Sequence, residues 1–271
     1  MKKLTMIMAV ALLTACGGNK NADENTESTI TVPLSESDSI SDEVRNFTSP
    51  DLTLYDLHSK VRKMVTDTYN ASFSKGEYTT HELLSTDTIF FDAKGRMTRH
   101  VSGDKNGINV TIKFEYNPDG SLLSAAQTNS YLDGIYHLAL SVKRDNDGYI
   151  TSIESVCRRD ESQGSTDTYT WKDGVLTAFH NTGWEWNTDR KYSYNEEGYR
   201  DTITEEFQDD GGSEKTVTRY TYGSYDVLKN WTERTSIVET TSYEWDPLTD
   251  RDHPVGPVVK DYRVEKRKIE Y

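Results

Sequence analysis

A short phrase returns through this chain at near-constant intervals: aromatic, any residue, aromatic, two to four polar residues, glycine, then a brief apolar run. Its clearest copies are Phe114-Glu115-Tyr116-Asn117-Pro118-Asp119-Gly120-Ser121-Leu122-Leu123 and Tyr192-Ser193-Tyr194-Asn195-Glu196-Glu197-Gly198-Tyr199. Looser copies lead through Phe90-Phe91 to Gly95, through Val142-Lys143-Arg144 to Gly148, and through Tyr169-Thr170-Trp171 to Gly174. The glycines at 95, 120, 148, 174 and 198 stand 25, 28, 26 and 24 residues apart. Two later copies lose the glycine and keep the aromatics: Tyr220-Thr221-Tyr222 and Tyr243-Glu244-Trp245. A period of this size marks a repeat array whose units bury their apolar faces on one another.

Each unit reads as a hairpin. Ile108 to Tyr116 alternates strictly, the pattern of a half-buried strand. Asn117-Pro118-Asp119-Gly120 then supplies turn chemistry: proline fixes its own φ, Asn and Asp bond locally, and glycine accepts positive φ. A second series of turns falls between these, at 103–107, 129–134, 160–164, 181–183 and 209–212. Turns at both ends of the units predict an all-β fold: an antiparallel meander of repeated β-hairpins forming one long, twisted and curled sheet. Twist in so long a sheet makes it curl, with the aromatic stripe inside. Tyr outnumbers Phe by 17 to 7, which suits strands that pack the ring and leave the hydroxyl in water. The charged last stretch, with Lys266, Arg267 and Lys268, reads as an edge strand that refuses further pairing. Leu52 to Leu57 reads as a strand or a docking segment, and Val61 to Tyr69 as a strand, although Val61, Met64, Val65 and Thr68 also fit helical spacing.

The N-terminus is an address. Met1-Lys2-Lys3 is followed by an apolar run from Leu4 to Leu13, too short to span a bilayer, and then by Leu13-Thr14-Ala15-Cys16. These residues resemble the lipobox of bacterial lipoproteins, which implies cleavage before Cys16 and acylation (palmitate among the chains) at that cysteine. Several acyl chains would anchor the protein firmly to a lipid bilayer. Cleavage removes Lys2 and Lys3 and takes the formal charge from −14 to −16. Residues 17 to about 50 are mostly polar and acidic and cannot bury enough apolar surface to order themselves. The expected organisation is a signal peptide at 1–15, a flexible polar tether at 16–50 and a hairpin-repeat domain at 51–271. Gly17 after the anchor resembles outer-membrane sorting, at the periplasmic face or the cell surface.

The hairpin phrase resembles YD and Rhs-type repeats, in which a Tyr-Asp-x-x-Gly turn follows an aromatic strand. It is most similar to short lipoproteins of Bacteroidetes that carry degenerate versions of them. Lys229-Asn230-Trp231-Thr232-Glu233-Arg234 is similar to a segment near the end of such proteins, and Ile269-Glu270-Tyr271 to their closing strand. The likeness spans roughly residues 80 to 271 and implies a β fold, with no inherited activity and no encapsulated toxin.

Chemistry is sparse. The acidic balance and the lack of clustered Lys and Arg exclude a nucleic-acid partner. The six histidines have no metal-ligand spacing, and neither a metal nor a cofactor is expected. Asp145-Asn146-Asp147-Gly148 is explained as a turn and not as a calcium loop. Cys157 reads as a buried or half-buried free thiol. Trp184, Trp186 and Trp231 are the candidate ligand-binding residues, because exposed indoles on a rigid sheet stack on sugar rings; the same residues also fit a ladder core. No catalytic residue is assigned. The expected role is a lipid-anchored module of the cell envelope that binds or scaffolds a glycan or an envelope protein. A glycan hydrolase and a purely structural envelope component are the alternatives.

Overall fold

A computed structural model describes residues 41–131, 134–210, 212–246 and 251–271. The expected signal peptide, the expected acylation site Cys16 and the expected tether up to residue 40 lie outside the described residues. Two short helices, α1 (Asp42–Arg45) and α2 (Pro50–Thr53), precede fourteen strands. These are β1 (Lys63–Ser74), β2 (Glu77–Phe91), β3 (Met97–Asp104), β4 (Asn109–Tyr116), β5 (Leu122–Tyr131), β6 (Gly134–Arg144) and β7 (Ile150–Cys157). They continue as β8 (Ser165–Lys172), β9 (Val175–Gly183), β10 (Trp186–Tyr194), β11 (Arg200–Asp209), β12 (Gly212–Tyr225), β13 (Trp231–Asp246) and β14 (Arg251–Glu270). Every consecutive pair is antiparallel, as the turn spacing predicts. Among the described residues no helix is long and apolar enough to cross a membrane.

The sheet is not open. β1 pairs with β14 from Lys63↔Glu270 to Ala71↔Tyr262, and the meander closes into a barrel. The expected edge at residues 262–271 therefore has partners on both sides, β13 and β1. Its charges have another explanation, which is alternation. Lys266 points outward and pairs with Glu233 at 3.5 Å, whereas Arg267 points inward and donates to Thr66 Oγ1. Outside the seam, Phe73, Tyr78 and Tyr262 pack as a ring cluster, with ring centroids 4.8 to 6.0 Å apart.

Alternation sorts the wall throughout. Ile112, Phe114, Leu138, Ile153, Tyr169, Phe179 and Ile203 are buried on the inside. Lys113, Glu115, Lys143, Glu154, Lys172, Asp189 and Lys191 stand exposed on the outside. A lipid-facing barrel carries an apolar outer band, with aromatic girdles, about 25 Å tall. This wall carries charges at those positions, so it faces water.

The five recurring glycines line one mouth, and all take left-handed φ between 72° and 97°. In most of these turns a leading Asp or Asn accepts from two backbone amides ahead of it: Asp92 from Lys94 and Arg96, Asn195 from Glu197 and Tyr199. Asp145 does the same with Asp147 and Tyr149, so this oxygen is spent on the turn, as read from the sequence. In the copy led by Tyr220 and Tyr222, Lys229 takes the glycine's place at φ 66°.

The second aromatic of the phrase has a function that the stripe alone does not reveal. Its polar tip reaches the backbone carbonyl two residues beyond the preceding turn glycine. Tyr116 OH donates to Met97 O, Trp171 Nε1 to Ile150 O, Tyr194 OH to Leu176 O and Tyr222 OH to Arg200 O, all at 2.7 to 2.9 Å. The ring packs while the hydroxyl or indole N–H rivets one repeat to the next. At these positions the tyrosine hydroxyl is therefore not left to water.

Arg144 stands at this position in the copy that lacks the aromatic, and it binds the plug. Residues 47–61 cross the glycine mouth and send Leu52, Leu54, Tyr55, Leu57 and Val61 into the core among Phe91, Ile112, Ile150 and Leu176. Ser49 caps α2 by accepting from Leu52 N, and its hydroxyl donates to Gly95 O at 2.6 Å. Asp51 accepts from Met97 N and from both Arg144 Nη atoms. Asp56 pairs with Arg200 at 3.2 Å, and the backbone of His58 is held by the Asn230 amide. Of the two sequence readings for 52–57, docking is the one realised. Order begins before residue 50, since Phe47 and Ser49 already pack on the barrel.

Because Leu52 is wholly buried at the centre of this plug, Leu52→Ala should destabilise the fold by about 2–5 kcal/mol. A lower denaturant midpoint with an unchanged m-value is the expected result.

Candidate functional site

The plug leaves a depression of about 360 Å³ at the glycine mouth, between His58 and Ser59 and the turn residues Tyr199, Val227 and Leu228, and a second open region lies at the opposite rim. There β9 and β10 are joined by Trp184 and Glu185, the latter at φ 61°, so the tip turns sharply. Trp184 is 60% exposed. Trp186 lies directly over Gly183, where any Cβ would clash, and stacks on Phe207 with centroids 6.5 Å apart and ring planes 29° apart. Next to this pair a groove of about 300 Å³ runs across β10 to β14, lined by Asn187, Asp189, Glu206, Phe207, Gln208, Ser213, Glu214, Lys215, Tyr243 and Asp252. The groove combines two ring faces with amides, hydroxyls and carboxylates. Its carboxylates are already engaged: Glu206 with Lys215 at 2.9 Å, Asp189 with His180 at 2.9 Å, Asp252 with Ser213 and Glu214 with Ser242.

The three tryptophans singled out from the sequence do not form one site. Trp186 stacks on Phe207, which lines the rim groove, and Trp184 stands exposed at the adjoining β9–β10 tip without lining it. Trp231 begins β13 at the plugged mouth, is 0% exposed, and lies against the guanidiniums of Arg234 and Arg267 at 4.2 and 3.5 Å from its ring centroid. It is a core residue. Cys157 is free and buried, as expected from the sequence. The groove residues Phe207 and Tyr243 escaped sequence reasoning. Phe207 carries no motif, and Tyr243 belongs to the aromatic phrase and was assigned to the inner stripe.

No family model and no curated protein matches this sequence. The YD/Rhs-type resemblance thus rests on the turn phrase. Among solved structures, a porin-like protein from Bacteroides uniformis superposes with a TM-score of 0.40 at 13% identity, covering 78% of this chain and 96% of that one. A structure of TcdB2-TccC3-TEV gives a TM-score of 0.26 at 13% identity, covering 70% of this chain and 11% of that one. Superpositions this loose establish neither a shared fold nor a shared activity.

Toward the open rim the lumen wall turns polar. Asp87 meets His100 at 3.2 Å, and Arg190 pairs with Glu205. Asp167, nearly inaccessible, accepts from the Asn181 amide and from Tyr169 OH, with Arg190 nearby. Burial is the largest influence and pushes its carboxyl up to about 7, against 3.8 for a free one; the hydrogen bonds and Arg190 pull the other way. Between these values the folded chain keeps a proton that the unfolded chain has released, so this group's contribution to stability falls as pH rises from about 4 to 7. Asp167→Asn removes that slope while keeping the shape. It should melt above wild type near pH ~8, with the gap closing near pH ~5. Thermal unfolding at both pH values checks this, and a variant less stable than wild type at the higher pH would contradict it.

Proposed function

We propose that this chain is a lipid-anchored module of the bacterial outer envelope that binds a polyhydroxylated ligand, a glycan, along its open rim. The observation that carries the reading is the rim groove, where Phe207, stacked on Trp186, and Tyr243 adjoin Asn187, Gln208 and Ser213, with the exposed Trp184 at the neighbouring β9–β10 tip. Sugars are recognised by this pairing of a flat apolar face with fixed donors and acceptors. The engaged state of the groove carboxylates favours binding over hydrolysis, since a glycosidase needs one free acid and one free base or nucleophile flanking the bond.

The polarity of the barrel supports the same reading. Ser41, the first described residue, leads into α1, which meets the plug through Lys60 N donating to Val44 O. An anchor at Cys16 would therefore join the molecule on the plugged side and leave the rim facing away from the bilayer. The outer face carries charge, so attachment to the membrane falls to the acylated cysteine.

Two measurements test these halves separately. Cys16→Ser should abolish incorporation of a palmitate analogue and release the protein from the membrane fraction; retention of the label would remove the anchor. Trp184→Ala should weaken binding on an envelope-glycan array at least about tenfold, the range expected when an exposed aromatic anchor is lost, with an unchanged melting temperature. Undiminished binding by that variant, or no glycan bound by the wild type, would refute the rim as the site.

A further inference from the structure

We infer that the lumen wall formed by β13, β14 and β1 is an internal binding site for a small oxyanion. Three arginines face inward there: Arg234 on β13, and Arg263 and Arg267 on β14. The wall itself supplies two carboxylates: Asp261, exposed toward the rim and in no ion pair among the described residues, and Glu265. The second is already taken: Arg234 holds it with Nε and Nη2 at 3.0 and 2.7 Å. The nearest plug carboxylate, Asp56, is paired with Arg200.

Arg267 is left with one weak partner, Thr66 Oγ1, at 3.3 Å from its Nε; its buried Nη1 has no hydrogen-bond partner. It packs against the same indole as Arg234, so two like charges share Trp231. Arg263, half-buried two positions along, forms no ion pair among the described residues. Two further donors are orphaned in the same wall: Nε1 of Trp231, which is wholly buried, and Oγ of Ser236, the next inward residue after Arg234.

The chemistry of these groups decides what they lack. Guanidinium and indole N–H groups donate and cannot accept, so water satisfies their hydrogen bonds but not their charge. At neutral pH a guanidinium keeps its proton, so neutralisation by deprotonation is closed to it there. Burial, reinforced by Arg234, pushes Arg267 down to about 9 against the opposing pull of Asp56 and Glu265, in line with a charge that the protein only partly compensates. Leaving a buried charge uncompensated costs several kcal/mol. A small ion that only accepts hydrogen bonds, phosphate-like or sulfate-like, satisfies both demands at once and is matched by a guanidinium fork.

This site is independent of the rim groove and tested without it. The full chain in detergent is melted in increasing inorganic phosphate, with ionic strength held constant by sodium chloride. A saturable rise of several degrees is expected, because a ligand bound only by the folded state stabilises it. Arg267→Met should lose the rise and, in phosphate-free buffer, melt above wild type, since it removes the uncompensated charge. Should Arg267→Met fail to fold, the half-buried Arg263→Met should still fold and show a weakened response. A flat wild-type titration would overturn the site, as would a rise retained in full by the arginine variant.

Discussion

A long antiparallel sheet in water has two edges that template aggregation, and here a single pairing removes both. β1 and β14 meet across about two hundred residues of sequence. Closure gives the wall an inside and an outside. Alternation then sends Ile269 and Arg267 inward and Lys266 and Lys268 outward on the same strand. The ring cluster of Phe73, Tyr78 and Tyr262 lies over the seam, which is where a closed meander is held by its most non-local contacts and where added burial is most useful.

The repeats are joined by more than their ladders. Rivets from Tyr116, Trp171, Tyr194 and Tyr222 reach the neighbouring hairpin at the glycine mouth, so four of the five glycine turns on that rim are tied to the next repeat. Where the rivet is replaced by Arg144, the plug enters through Asp51. A buried carboxylate with a bidentate guanidinium and a backbone amide is well compensated, unlike the arginines on the opposite wall. The plug thus docks through the array's own irregularity.

These constraints divide the molecule. One mouth is filled and rigid, the wall is charged and wet, and the far rim carries the exposed indole and the groove. Polar side chains accumulate in the lumen between the plug and that rim, and there the balance of charge and hydrogen bonding is least complete.

The sequence by itself determined the hairpins. Their signals are local: Asn117-Pro118-Asp119-Gly120 closes a turn whatever surrounds it, and the alternation of Ile108 to Tyr116 assigns faces without knowledge of a partner. It also pointed to Trp184, which sits in the turn before β10 and stays exposed, whereas Trp186 opens β10 and stacks on Phe207. It could not distinguish an open sheet from a barrel, because Lys266, Arg267 and Lys268 look alike whether a strand ends a sheet or closes one; only the meeting of β1 with β14 decides. Nor could it separate Trp231 from the other tryptophans. That indole is buried because Arg234 and Arg267 converge on it in the closed lumen, and their approach depends on β14, some thirty residues away. Local chemistry sets the units, and the closure of the whole decides which of their side chains see water.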